Sequence, residues 1–156
     1  MSIEIARAYL ESKGLGDRII VPEKSSATVA EAAEAIGCTP GMIAKTLSFL
    51  QDGQPVLILV EGMSRIDNQK YRARFGCKAK MIPAGQVGSL IGHDVGGVCP
   101  FGIRGGVRVY LDETLKQHAV VYPAAGSDHS AVRLTIAELE ACSGYSDWVD
   151  VCKPIE

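Results

Sequence analysis

The sequence predicts a mixed α/β domain of about seven strands and five helices. Three observations support that class. Helical and strand-like segments follow one another in irregular order, not as a regular βαβ series. No strand leads into G-x-G-x-x-G or a P-loop, so a doubly wound nucleotide fold lacks its usual marks. The 156 residues are 47% apolar and 22% charged, ordinary values for one self-sufficient core. A single domain over residues 1–156 is therefore expected.

The elements read off in order. Ser2 is placed to cap a first helix whose Ile3, Ala6, Tyr9, Leu10 and Lys13 fall near one face, ended by Gly14. Ile19 to Val21 forms a short strand before Pro22. Thr28 and Glu31 have capping-box spacing and open a helix that runs to Gly37. Thr39-Pro40 starts a short helical turn. Ala44 to Leu50 and Pro55 to Val60 are two β-rich runs joined by Gln51-Asp52-Gly53-Gln54, a hairpin signal. On the first strand Lys45, Leu47 and Phe49 share one face, and Thr46 and Ser48 the other.

Asp67 caps a helix that ends at Gly76. Lys78 to Ile82 is read as a short strand and Ala84 to Ile91 as a helix. A glycine-rich loop spans Gly92 to Gly102. Val107 to Leu111, Ala119 to Tyr122 and Val132 to Leu134 are strands, with a turn over Gly126 to Ser130. Thr135 and Glu138 form a second capping box, opening a last helix that ends near Gly144.

Composition excludes several classes. The longest aliphatic run, Val56 to Val60, is far short of the ~20 residues that span a bilayer. Glu4, Arg7 and Glu11 argue against a secretory leader. The five cysteines, Cys38, Cys77, Cys99, Cys142 and Cys152, are odd in number and contain no C-x-x-C pair. Reduced thiols in a cytoplasmic protein are expected. No two histidines have metal-ligand spacing, so no metal is expected, and no cofactor signature is present.

Charge is unevenly spread. The net value of −2 argues against coating nucleic acid through bulk charge. Yet residues 65–80 carry Arg65, Lys70, Arg72, Arg74, Lys78 and Lys80 against Asp67 alone. That local +5 leaves −7 for the remainder. Such a run is commonly a solvated helix face; on an acidic background it also offers a contact for a polyanion.

Four features carry possible chemistry. Lys45 stands on the same face as Leu47 and Phe49, so an inward ammonium would need a partner, and no nearby carboxylate is evident in the chain. A lysine snorkelling from a strand edge is the plainer alternative. Gly92, Gly96, Gly97, Gly102, Gly105 and Gly106 fall within fifteen residues; exposed N–H groups of such a loop can hold an oxyanion or phosphate, although it can equally be a simple connection. Cys99 would serve as a nucleophile only with His93 or His129 brought close as base; otherwise it is a small filler. His129 is either a substrate contact or a surface turn residue, His93 is similarly open, and His118 reads as surface.

Taken together, Ile43-Ala44-Lys45-Thr46-Leu47, Arg65-Ile66-Asp67, the run Gly92 to Gly102 with its Gly-Gly-Val-x-Pro-Phe-Gly core, and Gly126 in its turn resemble the YbaK/ProX family. These are free-standing relatives of the editing domain of bacterial prolyl-tRNA synthetases. The resemblance covers about residues 20–145. It implies a barrel-like mixed sheet surrounded by helices, and hydrolysis of the ester of a mischarged tRNA, with tRNA-Pro carrying Ala or Cys as the expected substrate. It implies that Lys45 contacts the terminal nucleotide and that Gly96, Gly97, Val98, Cys99 and Pro100 form the loop holding the aminoacyl group. Thr46, His93, Phe101, Gly126 and His129 are implied as substrate-binding residues. Cys99 departs from the Ser or Pro more usual there. Arg65, Lys70, Arg72, Arg74, Lys78 and Lys80 become candidate tRNA contacts, and an aminoacyl-tRNA synthetase is a possible partner. Two other readings stay open: a non-catalytic module binding tRNA or a synthetase, and a thiol hydrolase using Cys99.

Overall fold

Residues 2–23 and 28–155 are described by a computed structural model. They form five α-helices and ten short strands. The helices are α1 (Ser2–Ser12), α2 (Val29–Ile36), α3 (Asn68–Phe75), α4 (Ala84–Ile91) and α5 (Ile136–Ser143). The strands are β1 (Ile19–Ile20), β2 (Ile43–Gln51), β3 (Gln54–Glu61), β4 (Ser64–Ile66), β5 (Arg108–Asp112), β6 (Val120–Pro123), β7 (Ala131–Val132), β8 (Leu134–Thr135), β9 (Asp147–Val149) and β10 (Cys152–Pro154). Six of them make a curled mixed sheet in the order β8-β6-β2-β3-β5-β9, a half-barrel. β1 pairs with β7, and β4 with β10, in two small ribbons.

The helix ends follow the local chemistry. Thr28 Oγ1 accepts the Glu31 N–H at 3.1 Å at the start of α2. Asp67 Oδ1 accepts the N–H groups of Gln69 and Lys70 at the start of α3, and these bonds hold its carboxyl below the usual carboxylate range. At α5 the capping box is complete in both directions, and Glu138 also takes Arg18 Nη1 at 2.8 Å. The Ser2 side chain, expected to cap α1, lies outside what is described.

The β2–β3 hairpin is tighter than expected. Gln51 pairs directly with Gln54, so the turn is Asp52-Gly53 alone. Both residues have positive φ, 51° and 80°, as the primed hairpin turns require. β3 explains the run Val56 to Val60. Leu57 and Leu59 enter one core with Leu10, Ile91, Phe101, Leu111, Leu115, Leu134 and Leu139. Val56, Ile58 and Val60 enter a second with Phe49, Tyr71, Tyr110, Val149 and Val151. A central strand covered on both faces is apolar at every position, not at alternate ones. In the second core an aromatic chain links Phe49, Tyr71, Phe75 and Tyr110, with ring centres 4.8–5.2 Å apart.

Three differences from the sequence reading stand out. Lys78 to Ile82 is not a strand but makes a single bridge, Phe49 to Met81, flanked by hydrogen bonds from Leu50 N–H to Lys80 and from Ile82 N–H to Ser48. The expected strand at 132–134 divides into β7 and β8, which pair with different partners. β4, β9 and β10 were not anticipated. Each has three residues, too few for a two-residue period to show.

Because Leu57 is fully buried, Leu57→Ala should cost about 3 kcal/mol of stability. Urea denaturation would measure it; a loss under about 1 kcal/mol would contradict this account of the core.

Candidate active site

β2 has two kinds of neighbour on the edge facing away from β3. Its first residues, Ile43 and Ala44, pair in parallel with Tyr122 and Pro123 of β6. Phe49 meets Met81. Among the described residues, no strand lies against Lys45 to Ser48 on that side. Leu50 and Ser48 turn backbone groups to this edge, and the two-residue alternation turns those of Thr46 the same way. A cavity of about 530 Å³ opens at this gap. α2 contributes Val29, Ala32 and Ile36; the segment 95–98 contributes Val95, Gly96 and Val98; the turn after β6 contributes Ser127, Asp128, His129 and Ser130.

Glycine is required where the two loops meet. A Cβ on Gly97 would lie 2.4 Å from the Gly126 carbonyl group and 2.6 Å from Ser127 N. Gly96 has φ +96°, with Asp128 Cβ just beyond it. The Gly97 N–H is bound to the Asp94 carbonyl at 3.0 Å. Backbone thus packs on backbone, and this contact carries Gly96 and His129 to the same cavity wall. The turn is tied internally by a 2.7 Å hydrogen bond between the hydroxyls of Ser127 and Ser130. His129 is partly exposed, with Nδ1 3.1 Å from Asp128 Oδ1.

Thr46 and Lys45 complete the wall. Thr46 Oγ1 is buried and has no hydrogen-bond partner among the described residues. Lys45 is partly buried, and its Nζ donates to the Ser64 carbonyl. Burial pushes its pKa down, opposed by Cys152 and Glu61. The chain therefore does supply a carboxylate near Lys45. Glu61 sits across the hairpin at the register position next to Val60, the residue opposite Lys45.

Other expected site residues lie away from the cavity. Cys99 is fully buried, and burial pushes its thiol up to about 12. A thiol kept protonated inside the core is a poor nucleophile, which removes the support for a thiol hydrolase. His93 is 1% exposed, with Nε2 2.6 Å from the Phe101 carbonyl and Nδ1 without a partner among the described residues. Its burial lowers its pKa, so it is a neutral clasp across the loop. Phe101 packs beside Tyr9 in the larger core. Pro100 and Gly126 are buried and also off the cavity lining.

The basic candidates are all exposed, but they are unequal. Lys70 is paired with Asp150 at 3.1 Å and Arg74 with Asp147 at 3.0 Å. Among the described residues Arg65, Arg72, Lys78 and Lys80 form no ion pair. Lys80 directly precedes Met81, a cavity residue. Sequence reasoning missed Glu61, Ser64 and His118. His118, taken as surface, is bonded through Nε2 to Glu61 Oε1 at 3.1 Å. The available signal was a glutamate directly continuing a fully aliphatic strand.

The chain is similar to several known proteins along most of its length. Residues 23–142 match the family described as the aminoacyl-tRNA editing domain. The protein YwhH of Bacillus subtilis (strain 168) is 44% identical over 157 residues, covering all of both chains. A proline–tRNA ligase of Nitratidesulfovibrio vulgaris (strain Hildenborough) is 30% identical over 129 residues, 81% of this chain but 22% of the ligase. A crystal structure described as that of a candidate trans-editing enzyme for prolyl tRNA synthetase superposes with TM-score 0.88 at 31% identity, covering 97% of both chains.

Two outcomes follow from the packing. Gly97→Ala should lower stability by about 1–3 kcal/mol, read by thermal melting, because the 126–127 backbone must move. Iodoacetamide applied to the native protein should leave Cys99 unmodified; mass spectrometry showing rapid alkylation at Cys99 would overturn the buried assignment.

Proposed function

The chain belongs to the aminoacyl-tRNA editing domain family, and we propose that it is a trans-acting deacylase that hydrolyses the ester of a mischarged tRNA. The reading rests on one observation. Lys45, Thr46, Gly96 and His129 line a single cavity, in a region covered by the family match. We infer tRNA-Pro carrying alanine or cysteine as the substrate. The similarity to proline–tRNA ligases and to the candidate trans-editing enzyme supports that assignment.

An aminoacyl ester is already activated, so no protein nucleophile is required. Water adds to the carbonyl carbon, the acyl C–O bond breaks, and the ribose hydroxyl leaves with a proton. The protein has to place the ester and meet the charge that grows on the carbonyl oxygen. The backbone N–H groups of Gly96 and Val98, which line the cavity, suit that role. The Lys45 ammonium suits the terminal nucleotide, whose phosphate it would neutralise. His129 suits the substrate's amino group or a hydroxyl. The aliphatic wall of Val29, Ala32 and Ile36 suits a small uncharged side chain. Arg65, Arg72, Lys78 and Lys80 suit the acceptor stem.

A deacylation panel of mischarged tRNAs tests this reading. Wild type should release alanine or cysteine from tRNA-Pro, and Lys45→Ala should reduce kcat/KM by about 10²-fold while remaining folded. Undiminished hydrolysis by Lys45→Ala would reject the role of the lysine; no hydrolysis by wild type would favour the non-catalytic binding module. Charge reversal at both Arg72 and Lys80 should raise KM several-fold and flatten the salt dependence by a slope of roughly 2. An unchanged slope would remove them from the interface.

A further inference from the structure

A buried carboxylate is rarely found without compensation. Glu61 is 4% exposed at the end of β3. Ser64 Oγ donates to its Oε2 at 2.5 Å, and His118 Nε2 lies 3.1 Å from its Oε1. Its own N–H donates to Thr114 Oγ1 at 3.3 Å. The backbone makes room for this pair: a Cβ on Gly41 would come within 2.9 Å of both Glu61 Oε1 and His118 Cε1. Ser64 is bonded in two directions. Its hydroxyl holds Glu61, and its carbonyl receives Lys45 Nζ.

We propose that Glu61 is a positioning residue for Lys45: through Ser64, and steadied by His118, it holds the ammonium in the orientation that aligns the bound ester for hydrolysis. The proposal rests on the deacylase reading above. Neither Glu61 nor His118 lines the cavity, so both act through Lys45. The arrangement also solves a charge problem. A half-buried ammonium in an apolar wall tends to lose its proton, and a fixed negative charge opposes that loss. The groups facing Lys45 are Glu61 from β3 and Cys152 from β10. His118 reaches it only through Glu61. Cys152 is buried, and its thiol is pushed up by that burial, so the carboxylate on this side of Lys45 is that of Glu61.

The sign of the pH effect follows. Removing the Glu61 charge lowers the Lys45 pKa further, so the ammonium is lost at lower pH and the alkaline limb of activity moves down.

The test compares wild type, Glu61→Gln, Glu61→Asp and Ser64→Ala. It measures kcat and KM for deacylation of alanyl-tRNA-Pro and cysteinyl-tRNA-Pro from pH 6 to 10. It also follows the Lys45 side-chain titration by nitrogen-edited NMR. Glu61→Gln should lower kcat about tenfold or more with KM changed less than about twofold. Its alkaline limb and its Lys45 midpoint should both move down by roughly half a pH unit or more. Glu61→Asp, which keeps the charge, should recover most of the midpoint. A folded Glu61→Gln with unchanged kcat and midpoint overturns the proposal. If Glu61→Gln does not fold, Ser64→Ala decides: a lowered kcat and midpoint support the relay, and wild-type values overturn it. If wild type hydrolyses neither substrate, the deacylase reading is what fails, and the Lys45 midpoint alone then decides whether Glu61 governs the lysine.

Discussion

The register of the β2–β3 pair is the constraint on which the site depends. Lys45 lies opposite Val60, and Ala44 opposite Glu61. A slip of β2 by one residue against β3 would exchange the two faces of β2. Leu47 and Phe49 would leave the smaller core, and Lys45 would turn toward the larger core, away from the Ser64 carbonyl. The burial of β3 on both faces makes that slip expensive, since each of its five central residues already fits one of two cores. The Asp52-Gly53 turn reinforces the same register at the other end of the hairpin.

The cavity exists because the sheet is left incomplete at one place. β6 leaves the β2 edge after Ala44, and the 78–82 segment joins it only near Phe49. Between these points the edge of β2 forms a wall instead of a ladder. Unpaired strand edges commonly invite association, but here the edge is roofed by α2 and by two loops that touch through glycine backbone. The same contact keeps Cys99 and His93 pointing inward, so the glycine-rich segment presents main chain, not a reactive side chain, to the cavity. That suits an ester whose hydrolysis needs orientation and hydrogen-bond donors more than a nucleophile.

Much of this was legible in the residues. The capping signals at Thr28, Asp67 and Thr135 each stand at a helix start, and the glycines at 37, 76 and 144 each end one with positive φ. These are local effects within four or five residues, so they survive without knowledge of the fold. The hairpin was legible for the same reason. Lys45 and the glycine-rich loop were singled out because an ammonium in an apolar strand, and glycines at that density, are each locally costly. The loop was over-read, however. Its motif is continuous in sequence, but the chain turns into the core after Val98, so Val95, Gly96 and Val98 reach the cavity while Cys99, Pro100 and Phe101 do not.

Local chemistry in the sequence determined the helix boundaries, the hairpin, and which few residues could carry a charge or expose main-chain donors. The tertiary structure decided the rest, because it depends on groups far apart in the chain. Asp147 and Asp150 come back to neutralise Arg74 and Lys70, more than seventy residues away, so the basic run from 65 to 80 is weaker than its count. Gly126 comes against Gly97 only when β6 and α4 are packed. Glu61 and His118 meet across fifty-seven residues, and neither is unusual where it stands. A buried carboxylate costs desolvation that only close, fully bonded geometry offsets, and that geometry is a property of the folded chain.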